Sequence, residues 1–233
     1  MSTAAQLDKD TGTKVVITMR DYGLPTIEEF HEGVSLGVGS YTHETIARSV
    51  IQSLDYTAIK TPILPRNAIY YSEGPSKRYI ILEIPPHCRK VFYHNAEIED
   101  VPFPRLLFCF ELMVRETTMD ITDVYIAALE DQLILNEESK VYFYPYTNVA
   151  NSFSVCWGGQ KLPSIERVSQ LATIPEMFFN SPNSDCYYTG SNISKLPYRE
   201  LVEQIKGTSF PDEYLKETGY KLQEWIQKMT SSI

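Results

Sequence analysis

Of the four cysteines, Cys88, Cys109, Cys156 and Cys186, the third stands where a thiol could do chemistry. It closes the stretch Tyr144-Pro145-Tyr146-Thr147-Asn148-Val149-Ala150-Asn151-Ser152-Phe153-Ser154-Val155-Cys156-Trp157-Gly158-Gly159. That stretch reads as a β-like run, an Asn in a turn, and a Cys followed by Gly-Gly. A cysteine nucleophile needs access, a reason to be thiolate, and donors for the oxyanion it creates. The first and third are available within a dozen residues. Gly158 and Gly159 permit close approach of another backbone, and the Asn148 amide can donate to a tetrahedral oxyanion. Downstream, the Asp185 carboxylate can orient an incoming amine and favour its neutral, attacking form. Each residue also has a plainer reading. Free cysteines are commonly buried and inert, Asn148 and Asp185 suit turns, and Gly-Gly suits a tight turn.

Other chemistries find less support. The cysteines are widely spaced with no CxxC pair, which argues against a zinc site, and in a chain without a signal peptide they are expected to be reduced thiols. Cys109 lies inside an apolar run and reads as core; Cys88 follows Pro85-Pro86 and reads as exposed. The histidines, His31, His43, His87 and His94, are isolated, and none lies after His94. They form no recognisable Cys-His arrangement. There is no P-loop and no GxGxxG, so no nucleotide site and no cofactor are expected. The net charge of −9 argues against a nucleic-acid partner. No secretory h-region and no apolar run of ~18 residues is present, so a cytoplasmic protein without a membrane span is expected. The 16 tyrosines include Tyr70-Tyr71, Tyr142, Tyr144, Tyr146, Tyr187 and Tyr188 around the candidate site. They fit sheet packing better than partner anchoring.

The elements that must position these residues follow from periodicity. Lys14 to Met19 reads as a strand, and Thr42 to Leu54 as a helix with Thr42 as N-cap. Arg78 to Ile84 and Arg89 to His94 read as strands joined hairpin-like across Pro85-Pro86. Arg105 to Val114 is a nearly continuous apolar run, expected to be a central strand buried on both faces. Asp123 to Leu129 and Lys140 to Tyr144 complete an antiparallel meander. Thereafter the pattern is helical. Ser164 is a candidate cap for a helix from Ile165 to Leu171, Glu176 to Phe179 ends a short piece, and Tyr198 to Lys206 and Asp212 to Met229 are longer helices. Strands first and helices last predict an α+β domain with helices on one face. The division expected is an N-terminal extension over 1–75, strand plus helix, and a main domain over 76–233 with C-terminal helices.

The order helix, meander, Asn-turn, Cys, helices resembles the ubiquitin-conjugating (UBC) fold. Conjugating enzymes typically read His-Pro-Asn-Val before the nucleophile. Here Tyr146-Thr147-Asn148-Val149 fills that place, and Cys156 lies eight residues after Asn148. The Asn and Val are kept, the His and Pro are not. Over almost the whole chain the sequence resembles the prokaryotic ubiquitin-conjugating-like family D, the PRTRC system protein B-like group. The matching blocks are Leu64-Pro65-Arg66-Asn67, Pro85-Pro86-His87-Cys88-Arg89, Pro102-Phe103-Pro104-Arg105-Leu106-Leu107-Phe108, Val155-Cys156-Trp157-Gly158 and Phe178-Phe179-Asn180-Ser181. One departure stands out. Members carry a His after the Cys, near the end of the Phe-Phe-x-Ser element, whereas this chain reads Ser181-Pro182-Asn183-Ser184-Asp185-Cys186, with Asp185 the nearest titratable substitute.

The resemblance implies a conjugating-type acyl transferase that carries a ubiquitin-like modifier as a thioester on Cys156, with Asn148 and Asp185 as helpers. It implies a ThiF-type activating enzyme as donor and a JAB-type deconjugating protease as a further operon partner. The rival expectation is a catalytically silent UBC-like module that binds the modifier or its activating enzyme.

Overall fold

The computed structural model describes residues 12–53, 61–131, 134–188 and 192–231. The chain divides into two units, residues 1–60 and 61–233. In the first, β1 (Thr13–Thr18), β2 (Thr26–His31) and β3 (Val34–Ser40) form an antiparallel sheet in that order, followed by α1 (His43–Ser53). Thr42 caps α1 as its position predicts, its Oγ1 accepting the Thr45 N–H at 3.1 Å. Leu54, the last residue of the expected helix, lies outside the described residues. β2 and β3 escape the periodicity reading because Glu28-Glu29 and Gly37, Gly39 dilute the β-pattern.

The second unit is built on a sheet of β4 (Ala68–Glu73), β5 (Lys77–Ile84), β8 (Arg105–Val114), β9 (Met119–Leu129), β10 (Lys140–Phe143) and β12 (Glu217–Lys221), with the short β11 (Ser164–Ile165) on β9. Its order is β12-β10-β9-β8-β5-β4, and every pairing is antiparallel. β6 (His87–Tyr93) and β7 (Ala96–Phe103) pair with each other, as a separate hairpin between β5 and β8. Pro85-Pro86 therefore does not close a hairpin between β5 and β6. It marks the point where the chain leaves the main sheet, as residues without an N–H should.

β8 is buried from Arg105 to Leu112 because both faces of the sheet are covered. Ile80, Leu82, Phe108, Phe110, Ile126 and Ala128 point to one core, shared with α2 (Ile174–Phe179) and α3 (Tyr198–Ile205). Tyr79, Ile81, Leu107, Cys109 and Ala127 point to another, shared with Leu222, Trp225 and Met229 of α4 (Leu222–Met229). The α+β class is as expected, with one refinement: α2 and α3 share a face, and α4 covers the other.

Two further expectations change. Ser164 does not cap a helix. It pairs with Asp120 of β9 and donates to its carboxylate at 2.6 Å. A 3₁₀ turn begins only at Val168, with the Gln170 side chain accepting the Glu166 and Arg167 N–H groups. Asp212 to Met229 is not one helix either. Gly219 has φ +83°, Thr218 donates to the Val141 carbonyl, and β12 joins β10 before α4 starts. Glu224 caps that start by accepting the Lys221 N–H at 2.9 Å. Among the described residues, no helix is long and apolar enough to cross a membrane.

Candidate functional site

After β10 the chain passes through the core before reaching the candidate nucleophile. Tyr144 and Tyr146 are buried. The Tyr146 hydroxyl donates to the Pro102 carbonyl, and its ring meets Phe103, Tyr198 and Phe210 edge-on. Burial holds both hydroxyls well above the ordinary tyrosine pKa. These two tyrosines are the packing residues their β-propensity predicts, and they anchor the segment that follows.

Residues 148–156 then form a small hairpin. Val149 and Val155 are antiparallel partners, flanked by Ala150 N–H to Ser154 O at 2.9 Å and Cys156 N–H to Asn148 O at 2.8 Å. The eight-residue spacing is thus the closure length of a hairpin that sets Asn148 opposite Cys156. The hairpin is fastened to β9, with Phe153 O accepting from Ile126 N–H and Val155 N–H donating to Val124 O. Phe153 has φ +73° and sits buried against Phe143 and Trp225. Cys156 itself is partly exposed. Beyond it, Gln160 N–H donates to Trp157 O, closing a turn whose central glycines have φ +57° and +88°. A side chain at either glycine would meet nothing within 4 Å. Within the chain, the positive φ values of the turn are what call for glycine here.

Asn148 has φ +68°, a left-handed conformation that Asn tolerates better than most residues. Its N–H donates to Cys186 O at 2.9 Å and its Nδ2 to Pro182 O at 3.0 Å. One amide hydrogen is therefore spent on the loop, and an amide carries two. Asn148 consequently lies between Cys156, whose N–H it accepts, and Cys186, whose carbonyl it bonds. Burial and then the neighbouring Cys156 thiol push the Cys186 thiol up in pKa.

The loop that carries Cys186 is fastened by Asn183, which sequence reasoning did not single out. Its N–H and Nδ2 both bond Phe92 O at 2.6 and 3.2 Å, its carbonyl accepts the His94 N–H at 3.0 Å, and its Oδ1 accepts from Thr147 at 2.7 Å. The Ser-Pro-Asn-Ser-Asp run has the composition of a turn, but nothing in it names the hairpin it meets. Fixed in this way, Asp185 accepts from the Tyr93 hydroxyl at 2.8 Å, and its other oxygen lies 3.8 Å from His94 Nε2. The bond to Asp185 raises the Tyr93 pKa. The site thus gathers Cys156, Asn148 and Asp185, and adds Cys186, Tyr93 and His94.

Cys109 is elsewhere, fully buried, its thiol pushed far up by desolvation. Cys88 is exposed. Among the described residues, no group of His, Cys, Asp or Glu is arranged to hold a metal ion.

A family model described as prokaryotic E2 family D matches residues 46–218. No curated protein matches the chain, and no solved structure does.

Proposed function

The chain belongs to prokaryotic E2 family D, and on that footing we propose that it carries a ubiquitin-like modifier as a thioester on Cys156 and passes it to an acceptor. The family match, which spans the candidate site, supports a ubiquitin-conjugating-like role. The observation that carries the finer reading is the hairpin that sets a partly exposed Cys156 opposite Asn148, with open space over the Gly158-Gly159 turn. In the loading step the Cys156 thiolate attacks the carbonyl of a thioester on a ThiF-type activating enzyme. The carbon–sulfur bond to that enzyme breaks and its thiolate leaves. In the transfer step an amine attacks the new thioester, Cys156 leaves, and an amide forms. A thiol suits both roles, being a good nucleophile and a good leaving group. Asn148 would donate its second amide hydrogen to the oxyanion, and Asp185 would receive the incoming amine. A JAB-type protease that removes or matures the modifier completes the proposed set of partners.

A second reading is a silent module that holds the modifier or its activating enzyme without thioester chemistry. The bond from the Asn148 amide to Pro182 favours it, since a latch can be that residue's whole role. The test mixes the protein with a ThiF-type activating enzyme, a ubiquitin-like modifier and ATP. An adduct that dithiothreitol cleaves, absent in Cys156→Ala and resistant to dithiothreitol in Cys156→Ser, is expected. An adduct that persists in Cys156→Ala refutes the assignment. Stable binding without any adduct makes the silent module the correct reading.

A further inference from the structure

We infer that His94 is the general base of the transfer step, taking a proton from the ammonium that Asp185 receives. This rests on the thioester reading above. His94 sits at the tip of the β6–β7 hairpin, which the sequence gives no reason to associate with Cys156. The fold connects them through the loop that carries Cys186. Tyr93 bridges to Asn183, and the His94 N–H is held by the Asn183 carbonyl. Two residues further on, Asp185 lies 3.8 Å from His94 Nε2 and accepts from Tyr93 at 2.8 Å. The next residue, Cys186, is bonded through its carbonyl to Asn148, which accepts the Cys156 N–H. His94 is thus connected to Cys156 through a 3.8 Å approach to Asp185, the peptide link from Asp185 to Cys186, and two backbone hydrogen bonds made by Asn148.

The hairpin does not need a histidine there. Tyr93 pairs with Ala96, so His94 and Asn95 form a two-residue turn, and His94 has φ +50°. Glycine or asparagine serves that conformation at lower cost. The side chain is free to act: His94 is 58% exposed and Asp185 69%, so both are open to an incoming side chain. With Nε2 facing Asp185, Nδ1 is the nitrogen left to take a proton, and it has no hydrogen-bond partner among the described residues. The charged and titratable groups around the imidazole are Asp185 of the docked loop, Tyr93 of its own hairpin, and Arg199 of α3 and Tyr188, both felt at Tyr93. Tyr93 is held protonated by its bond to Asp185, so Asp185 is the anion that the imidazole and the acceptor see.

The acceptor ammonium docks on Asp185 and loses one proton to His94 Nδ1. The free amine attacks the thioester carbonyl and the tetrahedral intermediate expels Cys156. The second nitrogen proton leaves with Cys156 as the thiol, and His94 returns its proton to water. Nothing is oxidised or reduced.

The test uses full-length protein loaded with modifier, then freed of ATP and given free lysine between pH 6 and 9. For His94→Gln and His94→Asn, loading within about twofold of the parent and lysine discharge slower by about 10²–10⁴-fold are expected. Because asparagine tolerates the left-handed turn, His94→Asn separates loss of the base from loss of the hairpin. The parent rate should depend only weakly on pH across this range, whereas the variants should climb about tenfold per pH unit, following the free amine. Asp185→Asn should slow lysine discharge more than hydroxylamine discharge, since the carboxylate on which the ammonium docks is gone. Hydroxylamine, already neutral at pH 7, should discharge parent and variants alike. Normal loading with an unchanged lysine pH profile in His94→Gln overturns the inference alone. Loss of loading together with discharge in folded His94 variants also overturns it. Failure of the parent protein to load overturns the thioester reading with it.

Discussion

Asn148 is the residue at which backbone conformation and proposed chemistry meet, and replacing it separates the two. In Asn148→Ala the bond from Nδ2 to Pro182 O is lost, worth about 1 kcal/mol net. The methyl side chain must also hold φ +68°, which costs an L-residue about 1–2 kcal/mol. The sum is about 2–3 kcal/mol. For a unit of the size of residues 61–233, each kcal/mol moves Tm by about 2–4 °C, so a fall of about 4–12 °C is expected. Asn148→Gly loses the same bond but adopts the conformation freely, and pays instead about 0.5–1 kcal/mol of unfolded-chain entropy. The ranking is therefore parent, then Gly, then Ala, with Ala below Gly by about 0.5–1 kcal/mol. Urea unfolding at equilibrium measures it. Ala equal to or above Gly would refute the argument from the left-handed backbone. The Gly variant also isolates the amide, because it leaves the backbone bonds to Cys156 and Cys186 in place. Thioester discharge slower by about 10²–10³-fold, with loading retained, is expected if the second amide hydrogen serves the oxyanion. Unchanged discharge removes that role and leaves Asn148 as a latch.

Two further outcomes are expected. Under native conditions iodoacetamide should label Cys88, Cys156 and Cys186 and spare Cys109, which is buried with its thiol pKa pushed far up; intact and peptide mass spectrometry count the labels, and Cys156 as slow as Cys109 would contradict its exposure. Arg89 reaches Glu176 through two nitrogens at 3.0 and 3.1 Å and lies over the Phe179 ring, tying the β6–β7 hairpin to α2. That pairing lowers the Glu176 pKa below its ordinary 4.5, so its stabilisation is complete above that value and is lost as pH falls through the lowered one. The urea midpoint of Glu176→Gln should trail the parent at pH 7 and converge on it toward pH 3; a gap independent of pH would refute the charge-pair account.

Some of this protein was legible because its determinants are local. The Asn148 to Cys156 spacing is set by one short hairpin, Thr42 caps α1 from the adjacent turn, and β8 announces its two-sided burial through an uninterrupted apolar run. These depend on residues within a dozen positions of one another, where periodicity and turn chemistry act directly. Ser164 and the stretch from Asp212 to Met229 failed for the opposite reason. Each has a helical pattern, but sheet partners at Asp120 and along β10 offered backbone hydrogen bonds that local propensity cannot foresee, and Gly219 supplied the break.

The sequence by itself therefore determined the α+β class and the family to which the chain belongs, and singled out Cys156 as the candidate nucleophile with Asn148 eight residues before it. The tertiary structure decided which other groups are connected to Cys156. Tyr93 and Asp185 are 92 residues apart in the chain, and His94 reads as isolated until Asn183 docks one loop against the tip of a distant hairpin. Cys186 meets Asn148 through a backbone bond that no side-chain motif encodes. A spacing within one hairpin is set by its own closure, whereas proximity between a hairpin tip and a loop depends on the whole sheet that holds them.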